Sequence, residues 1–239
     1  MTSTHDDVRR TFLLDGRAVP FLPGQTVMQA AQDAGLYIPH LCHHRDFAPM
    51  GSCKVCTVLV DDRAMTACTL AARPDIEVTS ATEALQMDRL RLVQMLFVEG
   101  NHHCPFCEKS GDCELQAVAM HVGMQDTHFE HAFPTREVDA SHPEVWLDRS
   151  RCILCELCVR ASRDVDGKEV FALGGRGAHT TLLVNSKSGL LKDSAIAKED
   201  RAISVCPTGA LLPRGGAYLV AIGRRRYDQR GIAEQPEDT

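Results

Sequence analysis

A chain of 239 residues is long for one domain and natural for two or three small ones. Its net charge of −6 includes no basic stripe beyond Arg224, Arg225 and Arg226, which argues against nucleic-acid binding. No run of about 18 apolar residues is present, so the sequence offers no membrane-spanning helix.

Residues 8–21 alternate in polarity around Asp15-Gly16 and predict a β-hairpin. Arg9-Arg10 followed by Phe12-Leu13-Leu14 imitates a twin-arginine export signal, but Asp15, Gly16 and Arg17 interrupt the apolar stretch. A strand is the reading taken, and with it a cytoplasmic location. Thr26 and Gln29 form a capping-box pattern ahead of Val27, Ala30, Ala31 and Ala34, and Gly35 supplies a stop. Val58–Val60 and Ile76–Thr79 predict further strands, with Asp61-Asp62 as a turn. Residues 82–99 predict a helix with Met87, Leu90, Val93 and Phe97 on one face, ended by Gly100-Asn101. A second helix is expected from Glu114 to about Met120. Residues 121–145 have no clear period and read as a connector. Gly174-Gly175-Arg176-Gly177 lacks dinucleotide-fingerprint spacing and reads as a turn. The tail from Arg224 is expected to fray or to be ordered by a partner.

Eleven cysteines and one histidine make twelve ligand positions, which divide into three sets of four. Iron–sulfur clusters typically take four protein ligands. In a reducing compartment C-x2-C spacing favours metal over disulfides. Aromatics are only 5% of the chain, so small units here must lean on aliphatic packing and bound metal. Without iron, much of the chain is expected not to fold.

The first set is Cys42, Cys53, Cys56 and Cys68, spaced C-x10-C-x2-C-x11-C. A two-iron cluster needs two thiolates on each iron, and Gly51 and Ser52 would let backbone N–H groups approach the sulfides. Zinc knuckles instead use two short pairs. The second set is His102, Cys104, Cys107 and Cys113, suited to a [4Fe–4S] cluster. His103 is the alternative fourth ligand. His102 is preferred because an adjacent His-Cys pair has little freedom to reach two irons. The third set is Cys152, Cys155, Cys158 and the distant Cys206 before Pro207, again suited to a [4Fe–4S] cluster. In two-cluster bacterial ferredoxins a fourth local cysteine serves another cluster. Here that position is Ser162, so Cys206 must close the set. His121, His128, His131 and His142 read as surface residues, and His43 and His44 as surface residues or neighbours of the ligands. No nucleophile–base pair or phosphate loop is evident.

With these motifs in place, and above all HHCPFCEKSGDCELQ over His102–Gln116, residues 8–215 resemble the small diaphorase subunits of NAD-reducing [NiFe] hydrogenases. They are similar also to the N-terminal part of the large peripheral subunit of complex I and of NAD-dependent formate dehydrogenases. In complex I relatives the histidine lies four residues before the first cysteine, which here is Gly100, so that pattern does not transfer directly. The resemblance implies an α+β fold: a β-grasp [2Fe–2S] ferredoxin-like domain over 1–80, a helical His/Cys [4Fe–4S] segment over 81–121, a connector over 122–145, a bacterial-ferredoxin-like [4Fe–4S] domain over 146–223 and a polar tail over 224–239.

The resemblance also implies partners. An FMN- and NAD-binding diaphorase large subunit would exchange hydride with NAD(H). Hydrogenase small and large subunits would hold a nickel–iron site. This chain would carry electrons between them as a non-catalytic subunit, with the [2Fe–2S] cluster either on the main path or beside it. A chain ending near residue 239 without a molybdopterin-type domain favours the hydrogenase over a formate dehydrogenase. A relay subunit of a formate dehydrogenase or of an NADH:quinone oxidoreductase is the alternative. A zinc-stapled interaction module and a free ferredoxin carrier are the readings from other classes.

Overall fold

A computed structural model describes residues 10–216 and 218–235. Residues 8 and 9 of the expected hairpin, including Arg9, and residues 236–239 of the tail lie outside them. Strands β1 (Arg10–Leu14) and β2 (Arg17–Phe21) pair antiparallel around Asp15-Gly16, both at positive φ. The Thr26–Gln29 capping box starts helix α1 (Val27–Asp33), and Gly35 at φ +69° follows its end. Strands β3 (Thr57–Val60), β4 (Arg63–Thr66) and β5 (Glu77–Thr79) complete a mixed sheet in the order β2-β1-β5-β3-β4. β1 and β5 run parallel, and β3 is antiparallel to both neighbours. Alternating Phe12, Leu14, Val19 and Phe21 pack with Val27, Met28, Ala30 and Ala31 of α1, a β-grasp arrangement.

Asp15 links this unit to the next. Its Oδ1 accepts from the N–H groups of Ser80 and Ala81 at 2.7 and 3.1 Å, just before helix α2 (Glu83–Glu99), which Thr82 caps. The buried residues of α2 are Leu85, Arg89, Val93, Gln94 and Val98. This differs from the expected face: Met87 is 47% exposed, because a stripe built around the buried Arg89 turns the helix away from it. α3 (Glu114–His121) packs on α2 through Leu115, Val118 and Ala119.

Strand β6 (Val138–Asp139) pairs with β7 (Val145–Asp148), so the stretch read as a connector contributes a strand. Helix α4 (Leu157–Asp164) follows, then the hairpin of β8 (Phe171–Gly174) and β9 (Thr181–Val184) around the glycine turn. α5 (Arg201–Ser204) precedes β10 (Leu211–Pro213), which completes a sheet ordered β10-β7-β6. Ser162 is fully buried and its Oγ accepts from Val170 N–H at 2.8 Å. The tail also differs from expectation. Tyr227 N–H donates to Gly111 O at 2.8 Å, Arg225 Nη1 to Ser110 O at 2.6 Å and Arg226 N–H to Asp112 at 2.9 Å, so residues 225–227 are pinned beside Cys113. Among the described residues no helix is long and apolar enough to cross a membrane.

Candidate metal centres

All eleven cysteines are free thiols rather than disulfides. The loop from Cys42 to Cys56 lies between α1 and β3, and Cys68 follows β4. Cys53 N–H donates to Cys42 Sγ at 3.5 Å, and the Cys56 and Cys68 sulfurs are 3.4 Å apart. The four thiols thus form two pairs, the division that two irons require. Within each pair one thiol is favoured as thiolate by donation from the other. Cys42 is pulled down to about 5 by the Cys53 thiol, with Cys53 and Ser52 backbone and side-chain donors adding to it. Cys68 is lowered by the Cys56 thiol, against burial, and Gly51 N–H also donates to it. Their partners Cys53 and Cys56 are raised by the same hydrogen bonds and by burial. Gly51 holds φ +67°, and a Cβ there would meet Thr66 Oγ1 at 3.0 Å.

His102, Cys104, Cys107 and Cys113 line one cavity with Phe97, Gln116, Arg151 and Gly209. His103 is exposed. The Nε2 of His102 is buried and has no hydrogen-bond partner. Burial, and then the charge of Arg151, pulls this imidazole down to about 4, so it is neutral and available as a ligand. A buried nitrogen without a partner is costly, and a metal would satisfy it. Burial pushes Cys113 up to about 12 and raises Cys104. Gly100 explains the ring's placement. A Cβ on it would lie 2.5 Å from His102 Nε2 and 2.8 Å from Ser150 O. Arg151 Nη1 lies 3.7 Å from Cys107 Sγ and pairs with Glu108 at 2.6 Å.

Cys152, Cys155, Cys158 and Cys206 line a second, apolar cavity with Ile153, Leu173, Leu182 and Leu211. Leu154 and Glu156 take left-handed backbone, φ 55° and 59°, which wraps the C-x2-C-x2-C segment before α4 begins. Burial is the first cause raising all three local thiols, Cys152 to about 11 and Cys155 and Cys158 well above the ordinary thiol value, with mutual repulsion among the set adding to it. Thiolates cannot persist in such a space without a cation. The chemistry of the donors therefore fits metal clusters in all three sets. Among the described residues no three His, Cys, Asp or Glu side chains converge tightly enough for a single ion.

The three sets are joined. Cys113 Sγ lies 3.5 Å from Pro207 O, which also accepts from Glu114 N–H at 2.9 Å. Arg160 donates to Cys42 O at 2.6 Å and to Cys155 O at 3.3 Å. The third set therefore touches both others. His43, expected to be at the surface or beside the ligands, is 4% exposed, with Nε2 3.3 Å from Gln32 Oε1. His44 faces Asp46 and Arg201. His121 and His128 are exposed, and His131 and His142 half-buried. Sequence reasoning missed Gly100, Arg151, Arg89 and Arg160. Gly100 reads as a helix stop, and arginines carry no local signal of burial.

A model of 2Fe-2S iron-sulfur cluster binding domains matches residues 9–83. One of the iron-sulfur binding region of NADH-ubiquinone oxidoreductase-G matches residues 89–128, and a 4Fe-4S single cluster domain matches residues 145–212. The HoxS gamma polypeptide of the NAD-reducing hydrogenase from Cupriavidus necator is 36% identical over 92% of this chain and 93% of its own length. A chain in the crystal structure of NAD+-reducing [NiFe]-hydrogenase in the H2-reduced state superimposes with a TM-score of 0.92 at 50% identity, covering 95% of this chain and 96% of that one. The mitochondrial 78 kDa subunit of NADH-ubiquinone oxidoreductase from Candida albicans is 29% identical over 92% of this chain, which spans 33% of that protein.

Proposed function

This chain belongs to the HoxS gamma family of NAD-reducing hydrogenases, and from that premise we propose that it is the electron relay between an FMN- and NAD(H)-binding diaphorase partner and a [NiFe] hydrogenase module. The complex would catalyse the exchange of electrons between H2 and NAD+. The observation that carries the reading is the contact of three thiol-lined sets within one packed chain, through Arg160 on one side and Pro207 on the other.

Cys42 with Cys53, and Cys56 with Cys68, would hold the two irons of a [2Fe–2S] cluster. His102, Cys104, Cys107 and Cys113 would hold one [4Fe–4S] cluster, and Cys152, Cys155, Cys158 and Cys206 another. When bound, such clusters take up and release single electrons, which the protein directs through distance and potential. The chain's own residues set the order. The third set touches both the first and the second, which supports a path running first, third, second with the [2Fe–2S] set on it. The unpartnered nitrogen of buried His102 supports His102 over His103. Leu173, Leu182 and Leu211 line the cavity of the third set and would give it a low-dielectric wall. Bond-making chemistry would belong to the partners, and free thiols throughout support a cytoplasmic location.

The similarity to NADH-ubiquinone and NADH-quinone oxidoreductases over most of this chain gives the second reading, a relay in a quinone reductase or a formate dehydrogenase. Metal analysis of the complex that co-purifies with this chain without oxygen separates them. Nickel with abundant iron, and hydrogen-driven NAD+ reduction, is the expected result. Molybdenum or tungsten would assign it to a formate dehydrogenase, and iron without nickel to a quinone reductase or an iron-only hydrogenase.

A further inference from the structure

Two arginines are almost wholly buried, Arg89 at 2% and Arg160 at 3% exposure. Among the described residues neither forms an ion pair with a carboxylate. A guanidinium is always charged and offers five donors, so burying one without an anion is costly. Both guanidiniums face backbone carbonyls instead, among them those of Cys42, Ala48 and Val55 in the first cysteine loop and of Thr57 just after it.

Arg89 reaches this loop from α2. Its Nε donates to Val55 O at 3.2 Å and its Nη2 to Thr57 O at 2.9 Å, the two neighbours of Cys56. Ser80 O and Oγ and, at 3.5 Å, Gln86 Oε1 accept from its Nη1 and Nη2 as well. Arg160 reaches the other side of the loop from α4. Its Nη2 donates to Cys42 O at 2.6 Å and its Nη1 to Ala48 O at 2.8 Å, and its guanidinium carbon is 5.8 Å from the Phe47 ring centroid. The same Nη2 reaches Cys155 O at 3.3 Å, and Nε reaches Glu156 O. One arginine thus touches only the first set, and the other touches the first and the third.

We propose that Arg89 and Arg160 are the counter-charges of the first cysteine set, that Arg160 serves the third set as well, and that both act as positioning residues that raise the reduction potentials of the clusters held there. Reduction adds one electron to a cluster, supplied along the relay, and makes its charge more negative by one. A fixed positive charge beside the ligand backbone stabilises that reduced state, and in a low-dielectric interior the effect is strong. The contrast with Arg151 follows from the same logic. Arg151 also approaches a ligand sulfur, but its charge is balanced by Glu108 and Asp148.

This inference rests on the relay reading. It is tested on the full chain purified without oxygen with its clusters, by potentiometry followed by electron paramagnetic resonance, in the parent and in Arg89→Gln, Arg160→Gln and Arg160→Lys. Glutamine keeps hydrogen bonding and removes the charge. Arg160→Gln is expected to lower the potentials of the first and third clusters by about tenfold in reduction equilibrium, ~59 mV for a one-electron couple. Arg89→Gln is expected to lower the first alone. Arg160→Lys, which keeps the charge, is expected to restore values near the parent's. Unchanged potentials in both glutamine variants with intact signals would overturn the proposal alone. If the Arg160→Gln protein loses iron, retention in Arg160→Lys supports the counter-charge, and loss in both assigns Arg160 to loop geometry and overturns it. A parent chain without iron–sulfur signals overturns the relay reading and this proposal together.

Discussion

A Cβ on Gly100 would stand 2.5 Å from Nε2 of His102. The backbone that ends α2 is therefore the floor on which the imidazole ring rests, and the missing side chain is what admits the ring to the cavity of Cys104, Cys107 and Cys113. Gly100→Ala is expected to displace the ring, at a cost of about 1–3 kcal/mol in stability as other overpacked sites show. The electron paramagnetic resonance signal of the second cluster should change in Gly100→Ala and in His102→Ala, and stay as in the parent in His103→Ala. An unaltered signal in His102→Ala would reassign the ligand.

The contact of the third set with both others makes Cys206→Ser a test of order. The variant is expected to lose or weaken a cluster of about four irons. Hydrogen-driven NAD+ reduction by the complex should fall steeply, while NADH oxidation by an artificial acceptor at the diaphorase partner persists. If both activities survive together, electrons bypass the third set.

Arg151 joins Cys107 to two carboxylates, Glu108 at 2.6 Å and Asp148 at 2.9 Å. Asp148 is buried but Arg151 and Glu108 are partly exposed, so Arg151→Met is expected to cost about 1–3 kcal/mol, less than a fully buried pair would. The variant also leaves the Glu108 and Asp148 carboxylates unbalanced and removes the donor 3.7 Å from Cys107 Sγ, which together should lower the potential of the second cluster. Thermal denaturation and potentiometry read the two effects separately.

Asp139 is 4% exposed and organises the third unit. Burial pushes its carboxyl up, but donation from Ser141 and from Leu191 N–H at 2.7 Å outweighs it, and its pKa lies below the ordinary 3.8. The folded state thus favours the carboxylate. The resulting stability is fully present above the unfolded value and is lost as pH falls below about 3.8. Asp139→Asn should lower the melting temperature by a constant amount near neutral pH, and the gap to the parent should close in acid. A gap independent of pH would place the effect in packing rather than charge.

Much of this architecture was legible because its determinants are local. The hairpin at Asp15-Gly16, the Thr26–Gln29 box and the C-x2-C runs each act within a few residues. The buried face of α2 was not legible, because it is organised by Arg89, whose burial depends on the carbonyls of Val55, Thr57 and Ser80 delivered by another unit. The same holds for Arg160, which meets residues more than a hundred positions away. The tail reads as frayed or partner-ordered because Arg225 and Tyr227 find their acceptors, Ser110 O and Gly111 O, on a distant loop.

The most direct test of the three-cluster relay is iron and acid-labile sulfide quantification of the chain purified without oxygen, with its optical and electron paramagnetic resonance spectra. The account predicts a brown protein with about ten irons per chain and signals of both two-iron and four-iron clusters. A colourless chain holding zinc would contradict it.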